Sequence, residues 1–289
     1  MILEFIINGL ITGILYSLMA IGFTLVYNTT KVFHIAAAAL FAFAAYMFYW
    51  AANSLGWPVV VAAAFAITLT MVLSLVTDLA IYRPLKKRKA SGNVAMVASI
   101  GLMTIIVHLL VLAFGSETKK FNNSTLSSYS VGSLVITTPQ LAQLIIGSVA
   151  IVLFLLFIGR SSWGIRFRAL STDSTLYETL GYSTPGTRML VFLLSGAFIA
   201  LGGCLTAYDT GMNPDVGMNL LISAMVAMIV GGVGRFGTCV SGGLILGVLQ
   251  AVTVYHLSDN WKNAVAFIVL LLFLFLRPQG LAGIKMRTV

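Results

Sequence analysis

Residues 139–188 read PQLAQLIIGSVAIVLFLLFIGRSSWGIRFRALSTDSTLYETLGYSTPGTR. The first twenty carry no charge, which is about the length a helix needs to cross the hydrocarbon core of a bilayer. The next thirty, 159–188, hold Arg160, Arg166, Arg168 and Arg188 together with Asp173 and Glu178. From 188 the chain turns apolar again and stays so to 208. An uncharged span, a polar interruption and a second span are the pattern of a membrane bundle with one substantial loop. Composition agrees: 59% of the 289 residues are hydrophobic and 9% are charged, against about a quarter charged in soluble domains. Such a chain cannot cover itself with polar surface in water.

Working outward, nine apolar stretches run approximately 5–27, 32–52, 58–82, 93–115, 139–158, 188–208, 219–234, 237–256 and 262–276. The expected fold class is all-α, a polytopic transmembrane helical bundle forming a single domain over residues 1–289. About nine spans are expected. Eight or ten remain open, because the seventh and ninth stretches are short and the second holds an alanine run suited to a broken or re-entrant segment. The opening residues lack a basic start and a cleavage site, so they read as a first span and not a signal peptide.

Lys and Arg set the orientation. With the N-terminus outside, the inside connections hold Lys31, Arg83, Lys86, Lys87, Arg88, Lys89, Arg160, Arg166, Arg168, Arg188, Arg235, Arg277, Lys285 and Arg287; the outside ones hold only Lys119, Lys120 and Lys262. The net charge of +9 is therefore a topology signal. It is not the footprint of nucleic-acid binding, which needs a basic face on a folded module. Nine spans place the C-terminus inside. Outside, Ser128–Thr138 has the β-branched content of a small hairpin, and 209–219 (DTGMNPDVGMN) reads as a turn-rich lid.

Several kinds of chemistry are excluded or weakened. Mid-membrane acids, the usual mark of ion coupling, are missing; Asp78 sits at an inner helix end and reads as a surface-anchored carboxylate paired with Arg83. His34 and His108 read as histidines bonded within the bundle, with His34 kept as a pathway candidate. No HExxH, GxSxG or P-loop occurs, so neither catalysis nor ATP binding by this chain is expected. The two cysteines show no disulfide or zinc pattern. Gly9 and Gly13, and Gly243 and Gly247, have the spacing that lets helix backbones approach in lipid. Seven glycines crowd 231–247, and packing or a carbonyl-lined path are both open for them.

Within the interruption, Ser171–Asp173 is a cluster of helix-start residues, Thr175–Glu178 fits a capping box, Gly181 a helix stop, and Thr184–Pro185 a helix start. Leu176 and Leu180, one turn apart, share a face. Residues 159–188 thus read as a short surface helix between two spans, either an ordinary amphipathic segment or a docking element.

These residues resemble the permease subunits of branched-chain amino acid ABC importers, the high-affinity leucine transport H-type family. The resemblance covers essentially the whole chain and is strongest from Arg166 on. RFRALSTDSTLYETLGYSTPGTR (166–188) is similar to the family's coupling segment, 212–250 to its NP…G…GG block, and RPQGLAG (277–283) to its ending; 8–34 and YRPLKK (82–87) also fit. The resemblance implies a type II-like permease fold paired with a second permease subunit, a paralogue by the family's habit. Two cytosolic ATP-binding subunits would carry the ATP and magnesium, so no cofactor is expected in this chain. A periplasmic binding protein would deliver the solute, across a bacterial inner membrane. Asp173, Glu178 and Gly181 fall on the family's coupling positions; Leu176 and Leu180 are expected to enter a groove on the ATPase, with Arg166 and Arg168 framing the contact. His34, Asn213, Pro214, Gly231 and Gly232 are the candidates for a translocation path. One departure stands out. Ala36–Ala39 replaces a polar patch resembling AHGE or AHGA, losing hydrogen-bonding and helix-breaking capacity. The implied solute is a branched-chain or other hydrophobic amino acid, with urea or short amides as the alternative. A gradient-driven carrier or channel, and a non-transporting scaffold, are the rival classes.

Overall fold

The structure is a computed structural model that describes residues 2–121, 128–131, 134–256, 258, 261–277 and 279–281. Lys285, Arg287 and the last residues of RPQGLAG lie outside the described residues.

Among the described residues, twelve α-helices and one hairpin follow in chain order: α1 Ile2–Thr30, α2 Ala37–Tyr49, α3 Val59–Thr77, α4 Arg83–Lys87, α5 Gly92–Phe114, β1 Ser128–Val131, β2 Leu134–Thr137, α6 Thr138–Arg160, α7 Ser162–Thr172, α8 Ser174–Thr179, α9 Thr184–Thr210, α10 Val216–Gly231, α11 Thr238–His256 and α12 Lys262–Leu276. Nine of these have 13 residues or more and match the nine apolar stretches. Among the described residues, six segments are long and apolar enough to cross a membrane: Glu4–Thr30, Val59–Lys87, Gly92–Phe114, Thr138–Arg160, Thr184–Thr210 and Thr238–His256. The other three, α2, α10 and α12, are shorter. The β1–β2 hairpin pairs antiparallel with Ser128 opposite Thr137, as the β-branched residues predict.

α1 is the axis of the bundle. Its span is 89% buried, against 17% for that of α5 and 22% for that of α3; those helices turn Val60, Val97, Ile105 and Leu112 outward, as lipid-facing helices do. The tightest packing is α1 on α11. A Cβ on Gly9 would lie 2.7 Å from the Ala251 Cβ, and one on Gly13 2.9 Å from the Leu244 Cα. Gly243 meets Ser17, and Gly247 meets Gly9 and Gly13 in the same way. The two backbones therefore touch over two turns. In lipid, where apolar burial between helices gains little, close van der Waals packing of this kind holds helices together.

Connections collect at two ends. One end gathers 31–36, 83–91, 161–183, 232–237, 277 and 279–281. It is tied by Arg83 Nη2 donating to the Pro185 carbonyl (3.0 Å) and by Leu281 N–H donating to the Val230 carbonyl (2.8 Å). The other holds the hairpin and is tied by Lys119 pairing with Met212. They are called the basic end and the hairpin end below.

The alanine run has a packing role. The chain unwinds over 31–36 and re-enters a helix at Ala37. Ala36 N–H donates to Ser99 Oγ (2.8 Å), and Gly217 at the start of α10 sits against the Ala38 carbonyl. Ala36, Ala37 and Ala39 are fully buried. Methyl side chains let three helices meet here where larger ones would hold them apart. The break expected in the second stretch thus precedes α2 and does not interrupt it.

Candidate coupling site

The polar interruption forms two helices where the sequence suggested one. Ser161 caps α7 through its Oγ, which accepts from Trp163 N–H (3.1 Å). The α7 helix runs to Thr172 and breaks at Asp173, whose backbone is extended. Asp173 then caps α8: its Oδ1 accepts from Thr175 N–H (2.8 Å) and Leu176 N–H (3.0 Å). The capping box expected at Thr175–Glu178 is therefore not the one used. A carboxylate just upstream accepts two free amides at once and starts the helix at Ser174 instead. Gly181 closes α8 at φ +81°, a left-handed conformation that costs a residue with a Cβ about 1–2 kcal/mol. Ser183 Oγ then accepts from Gly186 N–H (3.3 Å), and Pro185 lies in the first turn of α9.

The short helix is anchored on one side and open on the other. Tyr177 is buried, with its Oη 2.8 Å from Thr187 Oγ1 on α9. Its ring stacks on Tyr182 (5.2 Å). The Arg166 guanidinium lies 4.5 Å from the Trp163 ring centroid and 5.4 Å from that of Tyr182, cation–π contacts that join α7 to the α8–α9 turn. Leu176 and Leu180 are 57% and 65% exposed. Arg168 donates to the Ile158 carbonyl (3.0 Å), and so ties α7 to the end of α6. Glu178 borders a cleft of about 290 Å³ with Arg83, Lys86, Lys87 and Arg188.

Beneath this surface lies a feature the sequence did not reveal. Asp78 begins a π-helical turn, Asp78–Tyr82, a rare widening of the helix that often marks functional positions. Its carboxylate is fully buried. Arg188 Nη2 donates to one oxygen (2.6 Å) and Arg83 Nε to the other (2.8 Å). The expected local pair with Arg83 is present, but Asp78 is not a surface carboxylate. Its principal partner is the buried Arg188, 110 residues away. Arg83 also bonds Pro185, so α3, α4 and the first turn of α9 form one clasp.

The five path candidates are not brought together. His34 is fully buried at the basic end, Nδ1 2.8 Å from Tyr82 Oη, which donates to Ser99 Oγ (2.8 Å). Gly231 and Gly232 form the turn between α10 and α11, closed over by Thr238 and Gly280. Asn213 and Pro214 are at the hairpin end. There Asn213 Oδ1 accepts from Asp215 N–H (3.1 Å), and Pro214 lines a small cavity with His108 and Thr104. His108 bonds the Thr104 carbonyl of its own helix (2.8 Å).

The α8 helix presents two leucines outward and is tied through Tyr177 and Thr187 to α9, whose first turn also carries the Asp78 clasp and whose 27 residues run roughly 40 Å at 1.5 Å per residue to the hairpin end. No cluster of metal-binding side chains occurs among the described residues.

The chain is 29% identical to the high-affinity branched-chain amino acid transport system permease protein BraD of Pseudomonas aeruginosa, over 97% of its own length and 95% of that protein's. It is equally similar to LivH of Escherichia coli K12 over the same shares. It is 28% identical to the autoinducer 2 import system permease protein LsrC of Yersinia enterocolitica, over 61% of this chain and 51% of that protein. Its fold is similar to a chain of PsaBC from Streptococcus pneumoniae solved in complex with Fab, with a TM-score of 0.53, 14% identity, and coverage of 96% and 93%. A family profile described as "Branched-chain amino acid transport system / permease component" matches residues 5–274, and the chain belongs to that family of membrane permeases.

Proposed function

We propose that this chain is one of two transmembrane subunits of an ATP-driven importer in a bacterial inner membrane, moving a branched-chain or other hydrophobic amino acid. Family membership supports the transport role. The observation that carries the mechanism is the six-residue α8, with Leu176 and Leu180 exposed at the basic end and Tyr177 buried against α9. Apolar side chains facing water on a one-sided helix are what helix-in-groove recognition uses. The basic end faces the cytosol by the positive-inside rule, with the N-terminus outside.

Two cytosolic ATP-binding subunits hold the ATP and magnesium, one on each permease. A binding protein delivers solute at the hairpin end, and the second permease is a paralogue. Closure of the ATPase pair moves α8. Tyr177 and the Asp78–Arg188–Arg83 clasp pass that displacement to α9 and α3 together. The bundle then switches which end is open, through the different affinity of the ATPase pair for its two states. Arg166 and Arg168 hold α7 in place through the chain's own groups, so their role is to keep the docking face rigid, while Glu178 faces the partner.

The experiment is reconstitution. The permease pair with its ATPases and binding protein should accumulate leucine in proteoliposomes only when ATP is supplied on the side of α8. Uptake by the permeases alone, driven by an ion gradient, would establish a secondary carrier and sink this reading.

A further inference from the structure

A cavity of about 470 Å³ opens at the hairpin end between α1, α6, α9, α10 and α12, within the range of about 300–1,000 Å³ typical of small-molecule sites. Its α1 wall, from Asn8 to Tyr16, descends roughly 12 Å at 1.5 Å per residue. Two polar atoms on its lining are buried and unpartnered: Gln143 Oε1, on a side chain 1% exposed, and Thr206 Oγ1, on one 6% exposed. Leaving such an atom unpaired carries its full desolvation cost, so these two are prepared for something that enters.

The chemistry of the walls says what. The Gln143 amide nitrogen is committed, donating to the Leu205 carbonyl (3.0 Å) and to Asp209 Oδ2 (3.3 Å). Its remaining atom is an acceptor, and Gln143 lines the same cavity as Asp209 and Thr206. Three oxygen acceptors, one of them anionic, suit an ammonium group, which has three donors and no acceptor. Lys262 also lines the cavity and supplies the opposite charge. Its backbone is fixed: Tyr16 Oη donates to Gln250 Oε1 (2.6 Å), and Gln250 Nε2 donates to the Lys262 carbonyl (3.0 Å). Ile11, Leu15, Val216 and Leu220 complete the lining with apolar surface.

We propose that this cavity is a solute site within a single permease subunit. It takes a zwitterionic α-amino acid by its ammonium on Gln143, Thr206 and Asp209, by its carboxylate toward Lys262, and by its aliphatic side chain against Ile11, Leu15 and Leu220. The proposal rests on the transport reading above and adds to it the place and the contacts. Because α9 carries Thr206 and Asp209 at one end and Arg188 at the other, the helix moved by coupling is also the helix that holds the solute.

The test uses the assembled transporter in proteoliposomes. Thr206→Cys is introduced after Cys204→Ala and Cys239→Ala, which remove two buried thiols. The rate of modification by a charged methanethiosulfonate reagent is read from the hairpin side with leucine, with isoamylamine (no carboxylate) or with isocaproate (no ammonium). Leucine at four times its dissociation constant should slow modification about fivefold by mass action, and neither analogue should match it. Asp209→Asn should raise the leucine concentration required by roughly tenfold or more, the factor that corresponds to a lost charge-assisted bond. Thr206→Val is the second variant and should raise the KM for uptake while leaving kcat. A thiol that is unreactive, or equally reactive with leucine present, in a complex that still accumulates leucine overturns the site alone. Equal protection by isoamylamine or isocaproate overturns the zwitterion assignment. A wild-type complex that accumulates no amino acid overturns the transport reading and the site with it.

Discussion

Replacing Asp78 by Asn tests whether the clasp at the base of α9 holds the bundle together. Asp78 is fully buried and the Arg188 side chain is 5% exposed, whereas that of Arg83 is 26% exposed. Removing the carboxylate leaves the Arg188 charge buried without its counter-ion, and breaking a buried pair in this way costs about 3–5 kcal/mol. The Arg83 contribution is small, because solvent and water-exposed neighbours screen it. For a chain of this length a kilocalorie corresponds to roughly 2 °C in Tm, so Asp78→Asn should lower Tm by about 6–10 °C. The assay is tryptophan fluorescence on the purified permease in one detergent at one scan rate, since unfolding of such proteins is kinetically controlled. The decisive comparison is the pair Asp78→Leu with Arg188→Met. Removing both charges should restore most of the loss, because a well-packed apolar pair can replace a buried ion pair at little cost. A shift below about 2 °C for Asp78→Asn, or a double variant as unstable as the sum of the singles, would refute the reasoning.

Gly247→Val should destabilise the α1–α11 contact by about 1–3 kcal/mol or more through overpacking, while Gly101→Val, where an added Cβ meets nothing within 4 Å, should not; yield and Tm compared side by side decide it. Asp173→Ala should cost α8 about 1 kcal/mol of cap energy and speed hydrogen exchange at Thr175 and Leu176, with Asp173→Asn within a few tenths; equal exchange in all three would remove Asp173 from the cap. Gly181→Ala, forced to φ +81°, should loosen the α8–α9 turn by about 1–2 kcal/mol, seen as faster proteolysis confined to 174–184.

The long apolar helices were legible because some twenty uncharged residues in a row favour a membrane-crossing helix, and close packing at Gly9, Gly13, Gly243 and Gly247 because they keep a four-residue spacing; that these two pairs face each other across α1 and α11 was not. Asp78 with Arg188 was not legible. The partners are 110 residues apart, and the π turn at Asp78 that accompanies their meeting has no spacing signature. The capping box at Thr175–Glu178 matched a real pattern, but Asp173 stood two residues upstream with a better acceptor and extended backbone. The cavity at the hairpin end was hidden for a different reason. Its polar groups come from five helices, most of them set among apolar neighbours, and Gln143 or Thr206 alone looks like any polar residue in a bundle. The alanine run read as a lost polar patch; in the fold it is a close-packed junction, where Ala36 N–H meets Ser99 Oγ and the Ala38 backbone meets Gly217.

The account stands or falls on the exposed leucines of α8. Leu180→Asp removes an apolar contact worth about 1.5–3 kcal/mol on full burial and places a charge in its stead. The direct measurement is the affinity of the purified permease pair for its ATP-binding subunits, read beside ATP-driven leucine uptake. The account predicts a Kd raised roughly thirtyfold or more, uptake lost, and a Tm for the permease within 1–2 °C of wild type, since Leu180 is two-thirds exposed and surface changes cost within about half a kilocalorie. Wild-type ATPase affinity and wild-type uptake in a folded Leu180→Asp protein would contradict it.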